Sequence, residues 1–102
     1  MSSSPSRLMI LAASVMTLSL IACSQTSGTA RGVVTSVEGT LEEITSFVVL
    51  VEGSELEFVP TSDGDYAFPL SHLREHQRTG EPVLVAWDIV GSVRYALSLA
   101  DG

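Results

Sequence analysis

Two histidines lie four residues apart, at His72 and His76. Residues with this spacing share one face of a helix, so both imidazoles can reach one ion. Imidazole nitrogen suits zinc, copper, nickel and iron. A stable zinc site, however, takes three or four protein ligands. Residues 24–102 hold no further histidine or cysteine, and Glu75 does not share a face with both histidines. The pair therefore predicts a weak metal site, and the alternative is a solvated pair on an exposed helix.

Two aromatic residues, Trp87 and Tyr95, lie in segments that we expect to pair as strands. Side by side, they would offer a stacking face to a sugar or a base. The alternative is that both rings pack in the core or in the mouth of a barrel. We favour packing, with a ligand face as the functional hypothesis.

Asp63 and Asp65 flank Gly64, and carboxylates at alternate positions suit Ca²⁺. The segment lacks the length and the terminal bidentate glutamate of an EF-hand loop. We therefore predict a turn over 63–65 rather than a calcium site.

Catalytic motifs are missing from the sequence. Serines and histidines occur, but a serine nucleophile also needs a base and an orienting acid in a recognisable arrangement. A glycine-rich loop that would cradle phosphate is also missing. We predict that the protein is not an enzyme and needs no cofactor.

The only cysteine of the chain, Cys23, follows an apolar run without charges over 8–21, and Arg7 precedes that run. A transmembrane helix needs about 20 apolar residues. A shorter run behind a positive amino end and before small residues is typical of a secretory signal peptide. A lone thiol in an exported protein has no disulfide partner within its own chain.

The residues Leu20, Ile21, Ala22 and Cys23 resemble the lipobox of bacterial lipoproteins. The resemblance implies that the signal peptide, 1–22, is cut between Ala22 and Cys23, and that Cys23 then carries a diacylglyceryl group and an amine-linked acyl chain. One acyl chain gives only marginal membrane binding, whereas two or three hold a protein at a bilayer. The alternatives are an ordinary signal peptide followed by a free cysteine, or an uncleaved anchor.

The chain after the predicted signal is acidic, with twelve carboxylates against four arginines and no lysine. Nucleic-acid binding depends on cations that displace phosphate counterions. This charge balance argues against nucleic acid as a partner, and an anionic membrane surface would repel the domain.

The small polar residues of 23–30 predict a flexible tether, followed by one domain over 31–102. Its patterns predict strands at 32–38, 44–52, 55–59, 83–90 and 93–100 and a helix at 70–78. We expect Pro60 to end the third strand. Ser71 is a candidate helix N-cap and Gly80 a candidate stop. The last strand is expected to alternate. Its inward side chains would be Val93, Tyr95, Leu97 and Leu99, and its outward side chains Arg94, Ala96 and Ser98. The final residues, 101–102, are expected to fray.

This order of elements resembles the OB-fold, a small all-β barrel of five strands with a helix between strands 3 and 4. A small SH3-like barrel or an open meander is the alternative. The fold leaves the function open, because such barrels serve many roles.

Anchor, barrel and lack of catalytic motifs together predict a lipid-anchored, non-catalytic interaction or envelope-scaffold module. It would face the periplasm or the cell exterior and bind an envelope protein. The alternative is an extracytoplasmic carrier of a small ligand or metal that uses the barrel face, His72 and His76.

Overall fold

The computed structural model describes residues 25–102, so the predicted signal peptide and Cys23 lie outside the described part. Between the third and fourth strands lie a 3-10 turn, Leu70–His72, and helix α1, Leu73–Thr79. The strands are β1 (Ser27–Gly39), β2 (Ile44–Val51), β3 (Ser54–Tyr66), β4 (Val83–Val90) and β5 (Val93–Asp101). The predicted order of five strands and one short helix is confirmed.

The strands close into a barrel in the order β1-β2-β3-β5-β4. β1 serves two neighbours, because residues 27–32 pair with β4 and residues 33–39 pair with β2. β3 and β5 run parallel, and the other pairs are antiparallel. The architecture is that of an OB-fold-like barrel, as the sequence predicts. Among residues 25–102, no helix has the length and apolar character needed to cross a membrane.

The barrel interior is filled by inward-facing residues of all five strands and by one residue of α1. The rings of Phe47 and Phe58 stack at its centre with centroids 5.5 Å apart, and both residues are fully buried. Burying side chains of this size supplies most of the driving force for so small a domain. The buried apolar residues are Ala30, Val34, Ile44, Phe47, Val49, Phe58, Leu73, Val83, Val85, Trp87, Ala96 and Leu99.

The last four residues of the predicted tether, 27–30, belong to strand β1. β1 begins at Ser27, and Ala30 is buried opposite Val85 of β4. Small residues suit this part of the strand because bulky side chains lie against it. A Cβ on Gly28 would come within 3.2 Å of the Trp87 ring. The barrel domain therefore starts four residues before the predicted boundary at 31.

β3 does not end at Pro60 and has no separate turn at 63–65, so both of those predictions are wrong. The strand continues to Tyr66. Its register with β5 shifts between Pro60 and Asp65. This irregular stretch accommodates a proline, whose missing N–H would break a regular ladder.

Tyr66 supplies hydrogen bonds where the register between β3 and β5 shifts. Its hydroxyl accepts a hydrogen bond from the backbone N–H of Thr61 and donates to the carbonyl of Ala96, both at 2.8 Å. Gly64 lies beneath the ring, where a Cβ would come within 2.2 Å of it. The tyrosine thus bridges two backbone groups that the strands do not pair directly.

The two faces of β5 differ from the predicted alternation. A register shift in the β4–β5 pairing lies between Ala86 and Trp87. Because side chains alternate between faces, such a shift exchanges the faces beyond it. Ala96 is therefore fully buried, whereas Leu97 is 43% exposed. Leu99, on the other side of the shift, points inward as predicted.

The helix begins without the predicted cap and ends as predicted. No side chain caps either helical segment, and the chain enters from Pro69, whose carbonyl accepts the N–H of His72. Ser71 thus lies inside the 3-10 turn rather than at an N-cap. Gly80 adopts a left-handed conformation with φ of 78° and donates its N–H to His76. Glycine adopts this conformation without steric cost, which explains the stop.

Candidate metal centre

Helix α1 lies across one end of the barrel and carries His76 on its buried face. Leu73, one turn earlier, is fully buried in the core. On the other faces, Arg74 donates to the carbonyl of Thr40 at 2.8 Å and Gln77 to that of Thr35 at 3.2 Å. These contacts with β1 and the loop after it fix the rotation of the helix, and with it the direction of the His76 ring.

His76 is 2% exposed, and oxygen atoms lie against both of its ring nitrogens. Nδ1 is 2.8 Å from the carbonyl oxygen of Glu81, and Nε2 is 2.8 Å from Oδ1 of Asp101. A carbonyl can only accept, so Nδ1 carries a proton and donates it. Nε2 is then the ring nitrogen that faces the carboxylate, and it is the atom that could share a cation with Asp101.

Asp101 is the residue that sequence reasoning missed. It was expected to fray, but it pairs with Val83 as the last residue of β5. The next residue, Gly102, donates its N–H to the carbonyl of Pro82 at 2.9 Å. The β4–β5 ladder therefore brings a carboxylate 25 residues away in sequence to the histidine of the helix. No local spacing rule signals this contact.

His72 lies beside His76, with ring centroids 4.9 Å apart. The prediction that both imidazoles share one side of the helical segment is therefore confirmed. Phe68 packs against both, at 4.8 Å from the His72 ring and 5.4 Å from the His76 ring. The sequence does not predict this aromatic contact, which places one apolar ring against both imidazoles.

His72, His76 and Asp101 form a possible ligand set, since one ligand atom from each lies within 4.8 Å of the others. A tetrahedral zinc ion with bonds of about 2.0–2.1 Å places its ligand atoms about 3.4 Å apart. The Nε2–Oδ1 distance is shorter than this, at 2.8 Å. His72 is only half-buried and the Asp101 side chain is 73% exposed, so both can adjust. Three protein ligands would leave a fourth position open.

The other residues singled out from the sequence lie elsewhere. Glu75 pairs with Arg78 at 2.6 Å on the exposed side of α1. Trp87 pairs with Ala96, whereas Tyr95 pairs with Asp88. Directly opposed residues share a face and neighbouring residues alternate, so Trp87 points inward and Tyr95 outward. The structure does not bring the two rings together into one stacking face.

No protein-family model matches this sequence, and no curated protein sequence matches it either. Solved structures do match. One is the crystal structure of CusF with Ag(I), with a TM-score of 0.55 and 14% identity, covering 76% of this chain and 100% of that one. The barrel is similar in fold to CusF. CusF–Ag(I) from Escherichia coli, residues 10–88, matches with a TM-score of 0.56 and 14% identity over 78% of this chain and 96% of that one. CusF thus supports the OB-fold-like assignment.

Proposed function

We propose that this protein is an exported carrier of a divalent transition-metal ion, bound by His72, His76 and Asp101. The observation that carries the proposal is the arrangement at His76. Its Nε2 faces a carboxylate at 2.8 Å, and a second imidazole lies alongside. The CusF barrels that this fold resembles were solved with Ag(I). These findings favour the carrier over the envelope scaffold that the sequence analysis placed first.

The donor atoms of this chain favour a divalent ion over Ag(I). Soft ions such as Cu(I) select thiolate and thioether sulfur, whereas imidazole suits zinc, copper and nickel. Residues 25–102 contain neither methionine nor cysteine. The ligand set here consists of two nitrogens and one oxygen, so we expect Zn²⁺, Cu²⁺ or Ni²⁺ to bind more tightly than Ag⁺.

The accessibility of the ligands favours a carrier over a purely structural ion. Structural zinc sites close the coordination shell with four protein ligands, whereas an open fourth position admits water or another ligand. Here the Asp101 side chain is 73% exposed, and His72 is half-buried. An ion held by these residues could be passed on by exchange of ligands at the open side.

Metal binding is expected to raise the thermal stability of the protein. A free metal concentration of 100 times Kd adds about 2.7 kcal/mol to the free energy of unfolding. For a domain of this size, Tm should rise by roughly 10–20 °C. Calorimetric scans with Zn²⁺, Cu²⁺, Ni²⁺ or Ag⁺, each compared with a chelator, would measure the shift. A Tm that no ion raises, or that Ag⁺ alone raises, would contradict the proposal.

The same proposal includes a lipid anchor on Cys23 that keeps the barrel at the outer side of a bacterial membrane. It is supported by the lipobox resemblance. The barrel begins at Ser27, four positions after Cys23, so a lipid on Cys23 would hold the barrel close to the membrane. Mass spectrometry of the native protein is expected to find an N-terminal peptide that starts at Cys23 and carries diacylglyceryl and acyl groups. A peptide that retains the leader, or an unmodified Cys23 thiol, would refute the anchor.

A further inference from the structure

A second cluster of polar and aromatic groups lies at the end of the barrel opposite the metal centre. The guanidinium carbon of Arg94 is 4.9 Å from the ring centroid of Trp87 and 5.8 Å from that of Phe58. Arg94 pairs with Ile89 in the β4–β5 ladder, so it shares the inward face with Trp87. We call Arg94 and Trp87 the barrel mouth. The metal centre lies at the other end of the same two strands, beside Val83.

Arg94 has no carboxylate partner among residues 25–102, although these contain twelve acidic side chains. The two helix arginines differ in their terminal nitrogens, since Arg74 donates from one to a backbone carbonyl and Arg78 pairs with a glutamate. Arg74 Nε, however, also lacks an acceptor among the described residues. Arg94 Nε and Trp87 Nε1 are both buried without an acceptor in the described part. These two atoms have almost no accessible surface, so an external ligand does not reach them. Arg94 as a residue is only half-buried, so a ligand at the mouth would meet its terminal guanidinium nitrogens.

The chemistry of Arg94 suits a phosphate group. A guanidinium presents a planar fork of N–H donors that matches phosphate oxygens, and stacking on an indole holds that fork in place. Carboxylates of the protein itself do not compete for it within the described residues. The rest of the domain carries an excess of negative charge, which would repel a ligand with a net negative charge. A zwitterionic phosphodiester offers the phosphate oxygens without adding net negative charge.

The path of the chain places the barrel mouth near the proposed anchor. The N–H of Ile89, the ladder partner of Arg94, donates to the carbonyl of Thr26 at 2.7 Å. Cys23 precedes Thr26 by three positions, and an extended chain over three positions spans at most about 11 Å. Val90 at the tip of the β4–β5 hairpin is 62% exposed at the same end. A lipid on Cys23 would thus bring this end to the level of the headgroups.

We propose that Arg94, stacked on Trp87, binds the phosphodiester of a zwitterionic phospholipid headgroup. This orients the barrel with its mouth toward the bilayer and its metal centre toward the aqueous side. The proposal rests on the lipid anchor of the proposed function for its source of phosphate. It does not depend on the metal centre, which lies at the opposite end of the barrel.

Trp87 is the only tryptophan of the chain, so its fluorescence reports on the mouth alone. The full native protein in nonionic detergent is titrated with dihexanoylphosphatidylcholine or with inorganic phosphate. We expect a saturable change in Trp87 emission with the phospholipid and a much weaker response to phosphate. Arg94→Gln should weaken phospholipid binding at least about tenfold, because it removes hydrogen bonds from a charged donor. Arg94→Lys keeps the charge but loses the planar fork of donors. Its affinity for the phospholipid should lie between those of the native protein and Arg94→Gln.

Arg31→Gln serves as the matched control, since Arg31 is an exposed arginine of β1 outside the mouth, and should bind as the native protein does. Equal binding by Arg94→Gln and native protein, both folded by circular dichroism, would overturn the proposal. An equally tight response to inorganic phosphate would overturn its assignment to a lipid. The mass of the Cys23 peptide is measured on the same sample. Lipidated protein without a fluorescence response therefore refutes the mouth alone, whereas unlipidated protein refutes the anchor.

Discussion

Replacing His72 with alanine is expected to weaken Zn²⁺ or Cu²⁺ binding by at least about 100-fold while leaving the barrel folded. Loss of a residue that merely orients a ligand costs about 10–100-fold in affinity, and His72 is proposed as a direct ligand. The side chain is half-buried and lies outside the buried core, so its removal should not unfold the domain. Isothermal titration calorimetry against a competing chelator would measure both affinities.

His72 is a cleaner test than His76. His76 is 2% exposed and links α1 to Glu81 and Asp101 through two hydrogen bonds. His76→Ala would therefore lose stability together with any ligand. Asp101→Asn offers an independent test, because the amide preserves the shape of the side chain but is a poor ligand for a divalent ion.

Glu75→Gln provides the matched control for metal binding. Glu75 is an acidic residue of the same helix, but it pairs with Arg78 away from the ligand set. Its substitution should leave the metal affinity unchanged within about twofold, since exposed ion pairs contribute little. Equal affinity in native protein, His72→Ala and Asp101→Asn would refute the proposed ligand set.

Replacing Gly32 with alanine is expected to lower the free energy of unfolding by about 3 kcal/mol. Gly32 is the last residue of β1 that pairs with β4 before the strand turns to β2. A Cβ there would come within 2.0 Å of the carbonyl oxygen of Leu50. This obstacle is backbone, so β1 and β2 must separate locally to make room. In a domain whose total stability is about 4–12 kcal/mol, Tm should fall by roughly 10–20 °C.

Gly28→Ala is the matched control for this prediction, in the same strand and with the same substitution. Its Cβ would meet only the Trp87 side chain, at 3.2 Å. A side chain can move by a few tenths of an ångström, and alanine also lowers the entropy of the unfolded chain. We expect a change within about 1 kcal/mol. Chemical denaturation of both variants would compare them, and equal loss of stability would refute the close approach at Gly32.

Local patterns in the sequence were sufficient to predict most of the elements. The strand at 83–90, the helix at 70–78 and the helix stop at Gly80 each depend on a few neighbouring residues. Such preferences act through backbone sterics and burial of one face, so they can be read from the chain directly. The helical spacing of His72 and His76 belongs to this group and correctly placed two imidazoles side by side.

The sequence by itself thus determined the order of the strands along the chain, the position of the helix and the placement of two histidines side by side. Only the tertiary structure decided that Asp101 lies against His76, that Tyr66 bridges β3 and β5, and that Trp87 and Tyr95 point to opposite faces. Each of these depends on the register between strands that are distant in sequence. A shift of one residue in that register exchanges inward and outward side chains, and the packing of the closed barrel selects among registers that the local pattern leaves equivalent.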